Sequence, residues 1–251
     1  MALDPDRRAA FVAALDETAG EVDLVRAALL IAAQGRGVDV AGAEARVQTL
    51  IAQADATGCD SLPALAAFLR DQAGFSGNAE NYYDADNSYL DLVLERRVGI
   101  PITLAVLHIA VGEGLGLDVR GIGFPGHFLV AEYGGRDSGD EIALVDPFAG
   151  RAMSRDDARA LLVTLYGDER AAEVGRDPAL FAPCTSRDIL LRMLENLKQL
   201  RARDGDLGGT LALLELQLVV RPEQFELRAQ HESLLKRAFG GLGDGDAPAV
   251  H

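Results

Sequence analysis

Apolar residues in the first third of the chain recur at the spacing of α-helices. The pattern covers residues 22–35, 43–54 and 62–69, and polar or glycine-containing segments separate the three stretches. Ser61 precedes the third stretch and fits a helix N-cap, because its hydroxyl can accept a hydrogen bond from a backbone N–H of the first turn. We therefore predict a helical N-terminal subdomain over residues 1–74.

A helix that is apolar on every face is predicted from Pro101 to about Leu115. The residue before a proline is disfavoured in the α region, so Pro101 separates this helix from a shorter one that ends at Arg97. Isoleucine, leucine and valine side chains cover all sides of the longer helix. Such a helix is expected in the centre of the hydrophobic core.

The spacing changes from helical to strand-like after Gly116. Short strands are predicted over residues 119–124, 128–133 and 142–145, with a hairpin loop at residues 134–139. Helical spacing returns over residues 161–166, 170–174, 189–201, 207–220 and 224–239. The pattern therefore predicts an α+β fold, in which a small antiparallel sheet is flanked by N-terminal and C-terminal helices.

Composition and charge disfavour several classes of partner. Of the 251 residues, 49% are hydrophobic and 25% are charged, which is the balance of a globular domain. The net charge of −15 disfavours nucleic acid and anionic membranes, because both bind basic surfaces. No apolar run is long enough to span a bilayer, and residues 1–15 show no pattern of a secretory signal.

Motifs for disulfides, metals and nucleotides are absent or incomplete in the sequence. Cys59 and Cys184 form no CxxC pair, which favours a cytoplasmic protein without disulfides. No HExxH motif, Cys/His cluster or acidic calcium loop is present, so we expect neither a metal nor another cofactor. Residues 121–126 spell GxGxxG, but a strand is predicted after them where a nucleotide site needs a helix. His108 lies on the apolar helix and is interpreted as a core residue.

Three stretches between residues 81 and 130 carry a recognisable motif. They are Asn81 with Asn87-Ser88-Tyr89-Leu90, then Arg97-Val98-Gly99-Ile100-Pro101, then Gly123-Phe124-Pro125-Gly126-His127-Phe128-Leu129-Val130. These stretches resemble the bacterial SirB-type family, and residues 191–198 are similar to the C-terminal part of that family. The family combines a transglutaminase-like domain with tetratricopeptide-like helices, so the resemblance implies a transglutaminase-like (papain-like) core.

The resemblance also implies a division of the chain. The helical N-terminal subdomain of residues 1–74 is followed by a transglutaminase-like core over residues 75–180. A helical tetratricopeptide-like tail is expected over residues 185–240, and residues 241–251 are expected to be disordered, because glycine, aspartate and proline dominate them.

A catalytic triad of cysteine, histidine and aspartate is what the resemblance implies for the site. In the wider transglutaminase and papain-like group, the cysteine stands at the N-terminus of the central helix, a histidine takes its proton, and an acidic residue orients the histidine. His127 and Asp146 match the last two members. The alignment puts Pro101 where the cysteine would stand, and proline carries no nucleophile. The pair is either a relict that stabilises the strand ends or a working dyad.

Several residues around this pair are candidates for a binding site. They are Asn81, Tyr82, Asn87, Ser88, Pro101 and Thr103. The first three either line a groove above His127 or only satisfy the loop backbone. Ser88 is near enough in sequence to approach the site, whereas Thr103 lies about 200° round the helix from Pro101 and should point elsewhere.

Two functions of different class remain open. The missing cysteine favours a non-catalytic regulatory module that binds a protein or peptide partner in the former cleft. The alternative is an amide-bond hydrolase or transferase, in which His127 acts as general base and Asp146 orients it. Neither the partner nor an oligomeric state follows from the sequence.

Overall fold

A computed structural model describes residues 5–16, 22–134 and 140–239 of the chain. The helices are α1 (Pro5–Ala14), α2 (Leu24–Ala32), α3 (Val40–Ala56), α4 (Leu62–Ala67), α5 (Leu90–Arg96), α6 (Pro101–Gly114), α7 (Arg155–Tyr166), α8 (Asp168–Val174), α9 (Ser186–Arg203), α10 (Leu207–Val220) and α11 (Phe225–Phe239). The strands are β1 (Ser76–Gly77), β2 (Val98–Gly99), β3 (Asp118–Ile122), β4 (Leu129–Tyr133), β5 (Glu141–Asp146), β6 (Arg151–Met153) and β7 (Pro183–Cys184). The predicted disordered tail and residues 135–139 of the predicted hairpin loop lie outside the described residues.

The predicted α+β fold is confirmed, with shifts in the bounds of some elements. Helix α7 begins earlier than predicted, because Ser154 and Asp157 form a capping box at its N-terminus. The predicted helix that ends near Arg97 is α5, which begins at Leu90 after a 3₁₀ turn that contains Asn87 and Ser88. Strands β1, β2, β6 and β7 were not predicted, because two or three residues are too few to show alternation.

The larger sheet has five antiparallel strands in the order β6-β5-β4-β3-β7. Its central strand β4 is buried on both faces. Val130 faces the core that contains α6, whereas Leu129 and Ala131 face a second core formed with α7 and α8. The sheet therefore separates α6 from the two helices that follow it.

Helix α6 is buried from Pro101 to Gly112, as its apolar sequence predicted. A continuous hydrophobic core surrounds it with side chains from α1 to α5, from one face of the sheet, and from α9 and α10. The N-terminal helices, the central segment and the C-terminal helices thus bury their apolar faces in one core.

Strands β1 and β2 form a small sheet that lies between the start of α6 and the residues that follow β5. Strand β1 pairs in parallel with β2, which immediately precedes α6. The Gly77 N–H donates to the carbonyl oxygen of Phe148 at 3.0 Å. A side chain at Gly77 would collide with the Phe148 ring, because a Cβ there would lie 2.4 Å from it. This close approach brings the residues that follow Asp146 next to the N-terminal end of α6.

A carboxylate from the sheet caps helix α4. Ser61 is the N-cap residue, as predicted, but its side chain makes no capping hydrogen bond. The Leu62 N–H donates instead to Oε2 of Glu132, a buried residue of β4, at 2.8 Å. A negative charge at a helix N-terminus also interacts favourably with the helix dipole. The bond joins the N-terminal helices to the central strand.

Replacing Glu132 tests this connection. We expect Glu132→Ala to lower the free energy of unfolding by about 1–3 kcal/mol, because the buried Leu62 N–H loses its acceptor. Glu132→Gln should lose less, since its amide oxygen can still accept. Urea denaturation measures both, with Glu95→Ala on the exposed face of α5 as control. Equal effects of Glu132→Ala and the control would contradict a role in capping.

Candidate functional site

The turn before β4 positions His127. Gly126 adopts a φ of +67°, a left-handed conformation that glycine accepts without strain, and the His127 N–H donates to the Phe124 carbonyl at 3.1 Å. Arg192 of α9 donates from Nη2 to the carbonyl oxygens of Phe124 and His127, at 3.1 and 2.6 Å. The turn is therefore held by its own backbone and by a helix from the C-terminal segment.

A hydrogen bond joins His127 and Asp146. The distance from His127 Nε2 to Asp146 Oδ1 is 2.9 Å. The same oxygen accepts the N–H groups of Phe148 and Ala149 at 2.8 and 3.2 Å. Only 11% of the His127 side chain and 14% of the Asp146 side chain are exposed. The strand end thus holds Asp146 in one orientation, and Asp146 orients the imidazole.

The environment of Asp146 favours its charged form. Burial opposes ionisation of this carboxyl group, but the hydrogen bond and charge of His127 and the two backbone N–H groups outweigh it, so that its pKa lies below the usual 3.8. Asp146 Oδ1 accepts a hydrogen bond from Nε2 of His127, so in a neutral imidazole the proton is on Nε2. No described residue hydrogen-bonds Nδ1 of His127, which leaves this nitrogen as a potential proton acceptor.

Neither cysteine of the chain takes part in this pair. The Cys184 thiol on β7 donates to the Gly121 carbonyl at 3.2 Å, and burial raises its pKa to about 11. Such a thiol is protonated at neutral pH and therefore a weak nucleophile. Cys59 follows α3, with its sulfur 3.4 Å from the Thr57 hydroxyl. Pro101 is the buried first residue of α6, so the site contains the histidine and the aspartate without a reactive thiol.

Asn87 ties together the loop that precedes α5. Its side chain is fully buried, and Nδ2 donates to the carbonyl oxygens of Asn81 and Tyr82 at 2.8 and 3.2 Å. Its Oδ1 accepts from Asn78 Nδ2 at 3.0 Å. This burial does not fit the hypothesis that Asn87 lines an open groove and agrees with its alternative, satisfaction of the loop backbone. Ser88, in the same 3₁₀ turn, is buried as well.

Two polar residues of α6 lie in the core. Thr103 is fully buried, and its hydroxyl has no hydrogen-bond partner among the described residues. His108 donates from Nδ1 to the Leu104 carbonyl at 2.8 Å, while burial lowers the pKa of its ring to about 4. His108 is therefore an uncharged core residue, as expected, and Thr103 belongs to the core as well.

Aromatic side chains extend from His127 to the protein surface. The Phe148 ring lies 6.1 Å from the imidazole, the Tyr82 ring 5.9 Å from Phe148, and the Tyr83 ring 5.4 Å from Tyr82. Tyr82 is 39% exposed and Tyr83 is 70% exposed. We call Tyr82, Tyr83 and Phe148 the aromatic rim. The guanidinium of Arg203, on α9, lies 5.2 Å from the Tyr83 ring.

The sequence interpretation missed three residues of this site. Tyr83 and Phe148 each stand close in the chain to a predicted site residue, which is the one signal that points to them. Arg192 lies in the C-terminal stretch that carries the family resemblance, but no spacing rule relates it to His127.

Two features are absent from the described residues, 5–16, 22–134 and 140–239. Within these ranges, no group of three or more His, Cys, Asp or Glu side chains is arranged to bind a metal ion. No helix in the same ranges combines the length and hydrophobicity needed to cross a membrane.

Comparisons with known proteins find relatives of the segment that contains His127 and Asp146. The model of the transglutaminase-like superfamily matches residues 36–195, more than half of the chain. A UPF0162 protein of Xylella fastidiosa strain 9a5c is 40% identical over 145 residues, which are 56% of this chain and 49% of the relative. For the UPF0162 protein of strain Temecula1 the identity is 39% over 187 residues, 73% of this chain and 65% of the relative.

A eukaryotic protein contains a related segment. F-box only protein 21 of Mus musculus is 34% identical over 175 residues, 66% of this chain and 26% of that protein. The chain thus spans 49% and 65% of the two Xylella relatives and a smaller part of the mouse protein. No solved structure shows a significant match.

The depressed pKa of Asp146 predicts a pH-dependent stability. Asp146→Asn should lower the free energy of unfolding by about 1–3 kcal/mol near pH 7, because the amide accepts the site's hydrogen bonds less strongly than a carboxylate. The contribution of a carboxyl group with a lowered folded-state pKa is fully present above its unfolded-state pKa of about 3.9 and is lost as the pH falls through the folded-state pKa. The difference between wild type and Asp146→Asn should therefore shrink below about pH 4.

Urea denaturation between about pH 3 and pH 7 measures this difference. Asp55→Asn, on the exposed side of α3, is the control and should have little effect at any pH. A stability loss in Asp146→Asn that stays constant over this range would contradict the assignment of a stabilising charge to Asp146.

Proposed function

We propose that this chain, which belongs to the transglutaminase-like superfamily, binds a protein or peptide partner without catalysing a reaction on it. The observation that carries the proposal is the intact His127–Asp146 pair in a site without a reactive thiol. Covalent catalysis of the triad type requires a nucleophile within hydrogen-bond reach of the base. A chain that keeps the pair and lacks the nucleophile fits a pseudoenzyme.

The burial of the pair supports the same proposal. Hydrolysis by a general base requires room for a water molecule and for the scissile amide beside the imidazole. Little of either side chain is exposed, and the hydrogen bonds at Asp146 serve to fix the strand end. In this role the pair keeps the turn of residues 123–128 next to the segment that contains Phe148.

The aromatic rim is the surface that we assign to the partner. Tyrosine and arginine are enriched in protein interfaces, since they combine large contact area with hydrogen-bonding groups. The rim presents Tyr82 and Tyr83 to solvent, and Arg203 packs over Tyr83. A peptide that lies on the rim would contact both rings and reach towards His127.

Finer assignments belong to this proposal as well. We assign the chain to the SirB-type group, with α9, α10 and α11 as tetratricopeptide-like helices. The exposed tyrosines adjoin α9 through Arg203, so the helical tail would contribute one side of the binding surface. We place the protein in the cytoplasm, where two unpaired cysteines are stable in the reduced form.

One observation favours a catalytic alternative. Nδ1 of His127 has no partner among the described residues, and Asp146 holds the ring in the orientation of a general base. An amide-bond hydrolase would use this nitrogen to activate water, and a transferase would use it to activate a hydroxyl of its substrate.

Selection of binders from a random peptide library separates the two functions. Peptides enriched on the wild-type protein should bind at least tenfold more weakly to Tyr83→Ser, because the substitution removes an exposed aromatic contact of about 1.4 kcal/mol or more. Binding to His127→Ala should persist and weaken less than binding to Tyr83→Ser, provided that circular dichroism shows a folded variant. Ile142→Ser is the control, since Ile142 is 64% exposed on β5 outside the rim.

Two outcomes would overturn the proposal. Hydrolysis or transamidation of glutamine-containing peptides by the wild type, lost in His127→Ala, would establish the enzyme. Enriched peptides that bind equally to wild type and Tyr83→Ser would show that the aromatic rim is not the binding surface.

Introducing a thiol tests whether the site derives from a cysteine enzyme. In Pro101→Cys the new side chain stands at the N-terminus of α6, where the helix dipole and His127 should lower its pKa below the ordinary value of about 8.5. We expect alkylation by iodoacetamide to reach half its maximal rate at a lower pH than in Pro101→Cys combined with His127→Ala. Identical pH profiles for the two variants would contradict the alignment of Pro101 with the family's cysteine.

A further inference from the structure

Arg192 carries a charge beside His127 that no described carboxylate balances. The side chain is partly buried between α9 and the turn before β4. The groups that act on it electrostatically are the thiol of Cys184, the phenols of Tyr82 and Tyr166, and the Phe128 ring, whose centroid lies 5.4 Å from the guanidinium carbon. Thiols and phenols are uncharged at neutral pH, so within the described part of the chain the guanidinium has no anionic partner.

This arrangement is unfavourable for the free protein. Burial lowers the pKa of the Arg192 guanidinium, which stays protonated at neutral pH. Charges removed from water are normally compensated by an opposite charge, because desolvation costs more than neutral hydrogen bonds return. The uncompensated charge therefore suggests that the counter-charge comes from a ligand.

Part of the guanidinium is available to such a ligand. Its Nη2 group donates to the carbonyl oxygens of Phe124 and His127, but Nε and Nη1 have no acceptor among the described residues. Nη1 lies 3.9 Å from the place where a Cβ at Gly123 would stand, and beyond Gly123 and its two chain neighbours no other atom comes within 4 Å of that place. Glycine at this position thus leaves open space next to the unused donors.

Two tyrosine hydroxyls lie within electrostatic range of the Arg192 guanidinium. Burial raises the pKa of the Tyr82 phenol. The positive charge of Arg192 opposes this increase, because the guanidinium interacts electrostatically with the phenol. The Tyr166 hydroxyl borders the same turn, at 2.7 Å from where a Cβ at Gly126 would lie. Both phenols can donate to an anion that Arg192 attracts.

We propose that Arg192, with the hydroxyls of Tyr82 and Tyr166, binds a carboxylate of the peptide partner. This inference rests on the proposed function, because a peptide without modifications carries its negative charge on aspartate, glutamate or its C-terminus. A carboxylate has one negative charge, which matches the single guanidinium, whereas a phosphate carries nearly two at neutral pH. The net charge of −15 repels acidic ligands from the rest of the surface, so the local cation selects where they bind.

Small carboxylates test the site directly. N-acetylglycinate represents a peptide C-terminus, N-acetylaspartic acid α-amide represents an acidic side chain, and N-acetylglycinamide is the uncharged control. Each is titrated into ¹⁵N-labelled full-length protein at constant ionic strength while the arginine Nε–H correlations are followed. We expect a saturable shift of the Arg192 signal with at least one carboxylate, with a dissociation constant of about 1–10 mM, and none with the amide.

Two substitutions at Arg192 separate recognition from folding. Arg192→Gln should abolish saturable binding, and Arg192→Lys, which keeps the charge without the planar donors, should weaken it at least fivefold. For these variants the backbone signals of residues 123–128 report binding. Arg187→Gln is the matched control, since Arg187 also donates to two backbone carbonyls from α9, those of Leu15 and Val220. The control should bind as the wild type does.

Three results would overturn the inference. They are an Arg192 signal that stays unmoved at about 50 mM of both carboxylates, equal shifts with the amide, or unchanged binding in Arg192→Gln. Library peptides that need Tyr83 but tolerate loss of all carboxylates would overturn this inference and leave the proposed function standing. Carboxylate binding at Arg192 without any peptide that depends on Tyr83 would support the inference and contradict the proposed function.

Discussion

Helix α6 has no polar face to turn towards water, and the remaining architecture follows from this constraint. Its burial from Pro101 to Gly112 requires cover on every side. The sheet supplies one side, and α1 to α5 together with α9 and α10 supply the others. Because a single helix demands this cover, segments from both ends of the chain join one core with the central segment.

The same constraint shapes the site. The Gly77–Phe148 contact brings the end of β5 close to β1, which pairs with the strand that precedes α6. His127 and Asp146 meet there at 2.9 Å, supported by backbone N–H groups. A pair held in this way remains in place without a thiol, because its partners are the strand end and the backbone. A nucleophile is therefore not needed to hold the pair in place.

The surroundings of the pair differ in character from the pair itself. Asp146 is satisfied by Nε2 of His127 and by two backbone N–H groups, whereas Tyr83 is exposed and Arg192 lacks a counter-charge within the described part of the chain. Groups with unused binding capacity thus lie around the His127–Asp146 pair. Under the proposed function, contacts at the aromatic rim would select a partner and the buried pair would supply rigidity.

The sequence by itself determined the α+β class, the buried central helix, and the match of His127 and Asp146, since periodicity and local motifs are read directly along the chain. It did not determine the cap of α4 by Glu132, the burial of Asn87, or the approach of Phe148 and Arg192 to His127. Arg192 follows His127 by more than sixty residues, and no local propensity relates positions so far apart. Only packing of α9 against the sheet decides that contact, because tertiary structure alone selects which side chains of remote segments meet.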